Sequence, residues 1–237
     1  MAVDDLPGPV VNLLNVIGVP WPYVNEDTVT QFATLTRQFG QAVQTTHADA
    51  TQAVSGIAQA HQGASTQRMS SGWATMSSQH VDELVTACNV LADALDVGAG
   101  YIVAQKLEAL ATLIGMAIAF VADQAASVVT LGLAETAVPL IIEGAERLVK
   151  SLVMDLQQYL IGQVIEAAAK PLFAKVEAAM AGLDWSKSGS GDSASAGSGF
   201  TLDAAAVRTH TAALRTHAAT MRQHGANFQQ GVQGLSF

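Results

Sequence analysis

The chain predicts an all-α protein, and three observations carry that prediction. The last forty residues hold a regular seven-residue repeat, VRTHTAA, LRTHAAT, MRQHGAN, which places Val207, Leu214, Met221, Phe228 and Leu235 on one stripe of a helix. Half of the 237 residues are apolar, with aromatics at 5% and charges at 13%. A balance so rich in Ala, Leu, Val, Gly, Ser and Thr suits close-packed helices better than sheets or disorder. Between Val29 and Ile57 the apolar residues recur at three- and four-residue spacing, again the period of a helix. A chain of this length can bury roughly 70% of its unfolded surface, so the core should be ample.

Taken in order, the first apolar stretch, Val10 to Val19, lies between Pro7-Gly8-Pro9 and Pro20-Trp21-Pro22, and prolines interrupt helices on either side. Asn25, Glu26 and Asp27 then place oxygen acceptors and acids where free amides and the positive dipole end of a helix want them. A long helix from Thr28 to Ala60 follows, about 50 Å at ~1.5 Å per residue, turning at His61-Gln62-Gly63. A second helix is expected from Ala64 to about Asp96, loosened or kinked at Gly98 and Gly100, with Tyr101 to Val129 continuing as a helix that is apolar nearly all round. Gly132 and Pro139 mark the next break and start, giving helices over 138–169 and 171–183.

Residues 186–199 have the Ser/Gly composition of a flexible linker with a reach of roughly 20 Å. The tail helix after it should be capped by Thr201 or Asp203. The expected organisation is a lead-in segment over 1–26, a hairpin and bundle over 27–183, a linker over 184–199 and a docking helix over 200–237.

Charge narrows the function. The net charge is −9, yet residues 200–237 carry three Arg against Asp203 alone, or +2, leaving −11 on residues 1–199. Opposite signs favour docking of the tail on the body. The acidic excess excludes a nucleic-acid surface, which needs clustered Lys and Arg. Acids at the N-terminus, where a secretory signal needs Lys or Arg, leave no cleavable signal peptide in evidence. In the apolar region 107–145, Glu108, Asp123, Glu135 and Glu143 cut uncharged runs of 14, 11 and 7 residues, shorter than the roughly 20 that cross a bilayer, so core helices are expected.

No constellation of residues points to catalysis. His210, His217 and His224 lie seven apart, about 10 Å along a helix, too far for one metal ion, so they read as positions flanking the stripe, with an acid-responsive docking surface as the sharper alternative. His80 and Glu83 reverse the order used by di-iron bundles, and Asp82-Glu83 and Asp93 with Asp96 fall on polar faces. Cys88 sits within an apolar stripe as a structural thiol. No cofactor, no metal and no enzyme activity are expected.

Several landmarks together resemble the WXG-type helical proteins of actinobacterial type VII secretion, and in particular the N-terminal helical domain of the outer-membrane-channel and necrotising-toxin group. Ile17-Gly18-Val19-Pro20-Trp21-Pro22 followed by Glu26 and Asp27 matches its opening motif, and Ala92, Leu95, Lys106 and Leu110 match its second helix. The Trp-x-Gly turn of such proteins stands here as His61-Gln62-Gly63, with Trp73 ten residues on. The tail from Phe200 is similar to the leading helix of small proteins exported by the same system. The resemblance implies an elongated WXG-like hairpin continued into an apolar bundle, plus the linker-tethered C-terminal helix.

It further implies a non-enzymatic export substrate or adaptor that is secreted or envelope-associated, or cytoplasmic before export. Such a chain would pair helices with a WXG-type protein, a toxin or itself, in an assembly of unknown copy number. Trp21, Phe32, Phe39, Trp73 and the stripe from Val207 to Leu235 are the expected contacts, and Tyr23 with Asp27 fits the family's Tyr-x-x-x-Asp/Glu export string, a string that a plain helix-start turn also produces. A membrane-active protein using residues 107–145 is the first alternative, and an immunity or chaperone protein for a toxin is the second.

Overall fold

The computed structural model describes residues 6–77, 81–129, 138–171, 174 and 201–236. The chain is all-α. Among the described residues six α-helices run in chain order: α1 Gly8–Ile17, α2 Glu26–Ala60, α3 Ala64–Met76, α4 Asp82–Val129, α5 Val138–Tyr159 and α6 Ala204–Gln233. A π-helical stretch, Leu160–Ala169, follows α5, and two-residue strands β1 His61–Gln62 and β2 Thr201–Leu202 pair antiparallel. The predicted linker over 184–199, His80, and all of the expected 171–183 helix except Pro171 and Ala174 lie outside the described residues.

Local chemistry sets the helix ends. Pro7 and Pro9 occupy the opening of α1, where a missing N–H costs nothing, and Gly18 closes it in the left-handed conformation at φ 69°, donating to Leu14 O at 3.0 Å. Asn25 Oδ1 accepts from Thr28 N–H at 3.2 Å at the start of α2, with Glu26 and Asp27 in its first turn. Of the two expected tail caps, Asp203 serves: its Oδ1 accepts from Ala205 and Ala206 N–H, both at 3.0 Å. Thr201 instead pairs with Gln62 in the small ladder.

Two expected boundaries move. No break falls near Gly98: α4 begins at Asp82 and continues unbroken through Gly98 and Gly100. Gly98 is used for packing: a Cβ there would lie 3.5 Å from Val164 and 3.9 Å from Tyr159, so the missing side chain lets the neighbouring helix come close. The expected single helix over 138–169 divides at Tyr159, where the winding changes to π.

The chain forms two compact units. The first comprises Met1–Gln31, Ala94–Glu166 and Ser236–Phe237. Its core is Val10, Leu13, Trp21, Ile102, Leu113, Val149, Leu152 and Leu156, all buried, with Tyr101 and Tyr159 stacked at 3.9 Å. Lys106 is fully buried here, and its Nζ meets Glu26 Oε2 at 3.0 Å and Val24 O at 2.7 Å. Thr28 Oγ1 donates to Ser236 O at 2.8 Å in the same unit.

The second unit comprises Phe32–Asp93 and Ala167–Leu235. Within it the body of α2 meets α3 and the start of α4 along one stripe, with Gly40 against Cys88, Arg37 paired with Asp93 at 2.7 Å, and His47 against Trp73. Burial among apolar atoms pushes the Cys88 thiol pKa up, as fits a structural thiol.

Candidate helix-pairing interface

Within the second unit α2 presents a further stripe, Phe32, Leu35, Phe39, Ala42, Thr46, Asp49, Ala53, Gly56 and Ala60, alternating three and four residues. α6 lies along it in the opposite direction. Near one end Phe228 stacks on Phe39 at 4.8 Å and on Phe32 at 6.4 Å, both rings tilted by under 30°. Offset aromatic pairs of this kind add about 0.5–1.5 kcal/mol beyond their buried area. One turn on, His224 Nε2 and Thr46 Oγ1 share a hydrogen bond at 2.9 Å. At the far end His210 lies on Gly56, Asp203 N–H donates to Ala60 O at 2.9 Å, and Leu202 and Thr201 pair with His61 and Gln62.

The approach is close where side chains are small. A Cβ on Gly56 would stand 2.3 Å from His210 Cε1, so only glycine accepts the ring in this position. Gly231 similarly receives Leu35, whose methyl carbons would lie 3.1 Å from a Cβ. Between these points an open groove is lined by Asp49, Ala53, Gly56, His210, Ala213 and His217. The three histidines therefore share the seam with the apolar stripe. Val207, Leu214, Met221, Phe228 and Leu235 are all half-buried, and no residue of α6 is fully buried. The stripe is covered on one flank and open on the other.

The remaining predicted residues are placed elsewhere. Trp21 is only 3% exposed, in the core of the first unit, and its indole N–H finds no acceptor among the described residues. Tyr23 is 64% exposed just before α2, and Asp27 is exposed on its first turn. Trp73 is half-buried on α3, donating Nε1–H to Thr51 Oγ1 at 2.9 Å and stacking on His47 at 5.0 Å. His47 also contacts Ser77 Oγ at 2.5 Å. Burial holds the His47 pKa below its ordinary value, and nearby Asp82 opposes that shift.

Sequence reasoning passed over His47, Thr46 and Gly56; the second three-four stripe of α2 is the signal that finds the last two. Among the described residues no group of three or more His, Cys, Asp or Glu could hold a metal ion.

A family model described as a WXG100 like domain matches residues 3–143, well over half of the chain. The chain belongs to the WXG100-like family. This makes it a type VII secretion-related helical protein, in a non-enzymatic, secretion-associated family whose members typically interact with other helical proteins and whose membership implies export. No curated protein and no solved structure matches it significantly. The WXG100-like region supplies α2 of the seam, while α6 lies outside the matched residues. In this WXG100-like protein Gly63 opens α3, its carbonyl accepting from Thr66 N–H at 3.1 Å, and the turn residues His61 and Gln62 hold the tail through β1.

The long helix departs from one expectation. Asp82–Asp123 is long and apolar enough to cross a membrane by length and composition, and only 28% of its most apolar window is buried. Reading Glu108 as the end of an apolar run understated it, because Lys106 is turned inward onto Glu26 and the outer side keeps its apolar residues.

Proposed function

We propose that this WXG100-like chain is a non-enzymatic substrate or adaptor of actinobacterial type VII secretion that pairs helices with a partner protein or toxin. In this reading its α6 occupies the pairing stripe of α2 until the partner takes it. The antiparallel seam running from Phe39–Phe228 to Ala60–Asp203 carries the reading, because it is a helix-on-helix surface whose covering helix is only half-buried.

Phe32, Phe39 and the residues from Val207 to Leu235 supply the contact. Trp73 braces the hairpin behind it, and Trp21 holds the lead-in turn from inside. Residues 1–26, 27–183, 184–199 and 200–237 act as lead-in, body, tether and docking helix. The kinship with the channel and necrotising-toxin group belongs to the same reading, as does an export role for Tyr23 and Asp27.

A pull-down from the native host, with mass spectrometry of medium and lysate, tests this. The full chain should capture a helical protein and occur in the medium, and Phe39→Asp should lose the capture while staying helical. Capture by the variant overturns the role of α2, and absence from the medium overturns export. If the histidines respond to acid, amide exchange over Ala204–Gln233 differs between pH 5.5 and 7.5; equal protection removes that role.

The exposed apolar side of Asp82–Asp123 favours a second reading, a membrane-active protein. Liposome flotation and dye leakage by the purified chain separate it from the first.

A further inference from the structure

α6 stands apart from the rest of the chain in charge. From Ala204 to Gln233 it carries Arg208, Arg215 and Arg222 and no acid, in a chain of net charge −9. All three arginines are exposed, and among the described residues none of them forms an ion pair or a side-chain hydrogen bond. In contrast Arg37, Lys106, Arg147 and Lys150 each hold a carboxylate. Seven-residue spacing sets the three guanidinium groups of α6 on one line, about 10 Å apart along the axis.

That line borders the open flank of the apolar stripe. Each Arg directly follows Val207, Leu214 or Met221, all half-buried, and three residues after each Arg stands Thr211, Ala218 or Gly225. At 100° per residue the small residue falls between its apolar neighbour and the Arg, on the side turned away from His210 and His224, which contact α2. A Cβ on Gly225 would have nothing within 4 Å. The flank is therefore a shallow trough with an apolar wall, a floor of small residues and an arginine rim.

We propose that this trough takes an acidic amphipathic helix of a partner protein, one with an apolar residue and a carboxylate in every heptad. The inference rests on the reading of this chain as one that pairs helices, and it names the partner's chemistry: the trough is a foothold for the partner while α6 still covers α2. Charge and spacing select that occupant. The planar guanidinium grips a carboxylate through two parallel N–H donors, and carboxylates seven residues apart on a helix repeat at the interval of the rim. A lipid surface has no such register, and α6 cannot sink into one while α2 covers part of its apolar stripe. Three cations on a chain of charge −9 are too few to hold a nucleic acid. The trough is small, so the complex is a transient one that salt weakens, with the rim steering approach and setting register.

The test titrates the full chain into two fluorescein-labelled peptides of four heptads, built on Ala and Gln and equal in composition. One has a Leu and a Glu beside it in every heptad; its twin has the same four Glu scattered out of register. Fluorescence anisotropy should show the first peptide binding more tightly than its twin, and weakening roughly 10-fold between about 50 mM and about 500 mM NaCl. Replacing Arg208, Arg215 and Arg222 together by Gln should keep the helix content and tail exchange protection and weaken binding roughly 10-fold, about 2- to 3-fold for each exposed pair. Equal affinity for the two peptides overturns the proposal whether or not the triple variant folds, as does unchanged binding by a folded triple variant. Either result leaves the α2 seam standing, because Phe39→Asp tests that separately. Flotation of the chain with phosphatidylglycerol vesicles, lost in the triple variant and accompanied by no peptide binding, overturns the proposal in favour of an anionic membrane.

Discussion

Replacing Gly56 by alanine separates the stability of α2 from the docking of α6. Alanine inside a helix is better than glycine by about 1 kcal/mol, so α2 alone should gain. The added Cβ, however, would stand 2.3 Å from His210 Cε1, 2.5 Å from Nε2 and 2.7 Å from Nδ1, where ordinary contacts begin near 3.4 Å. Relief requires the ring or the helix carrying it to move by about 1 Å, and forcing an extra methyl into a packed contact costs typically about 1–3 kcal/mol. The tail should therefore open about 5- to 150-fold more often, while the hairpin keeps or raises its melting temperature. Hydrogen exchange over Ala204–Gln233 and over α2 reads both changes. Adding His210→Ala removes the obstructing ring and should restore tail protection. Unchanged exchange of the tail in Gly56→Ala, or no rescue in the double variant, would refute the reasoning.

Three further outcomes follow from the same structure. Phe39→Ala, Phe228→Ala and the double variant should give a coupling of about 1 kcal/mol in chemical denaturation, as expected for a stacked pair at 4.8 Å; simple additivity would deny the contact. Lys106→Ala removes the cation paired with the buried Glu26 carboxylate and should destabilise the first unit by about 3–5 kcal/mol, whereas Lys106→Met with Glu26→Leu should fall near wild type; equal losses in both would argue against a buried ion pair.

His47 has a folded pKa below its unfolded value of 6.5, so its neutral form is the one the fold favours and the unfolded chain binds more protons in acid. Its contribution is intact above pH 6.5 and is lost as pH falls from there toward the folded pKa. Denaturation midpoints from pH 7.5 to 5 should decline in wild type and decline less in His47→Gln; parallel profiles would contradict this.

Much of the helical plan was legible from the residues. Asn25 to Asp27, Gly63 and Asp203 are helix-start chemistry that works within three residues of its own position, so α2, α3 and α6 begin where the sequence places them. The repeat of the tail named the residues that share one face of α6, because period alone decides which side chains do so. Features set by distant neighbours were not legible. Gly98 and Gly100 signal a kink in isolation, but Val164 and Tyr159 fill the space beside Gly98 and α4 runs straight through. Lys106 gave no sign of turning inward, since its partner Glu26 is 80 residues away. Trp21 matched a family motif, yet nothing local told that it would be 3% exposed.

The seam itself is tested most directly by distances between spin labels in the second unit. With Cys88→Ala, labels at Gln59 and Ala205, both exposed, should lie within about 20 Å, and labels at Gln59 and Gln230 about 40 Å apart, given ~1.5 Å per residue along α6. One narrow distribution for each pair, the first short and the second long, is the predicted result. The reverse order, or broad distributions for both, would contradict an α6 that lies antiparallel on α2.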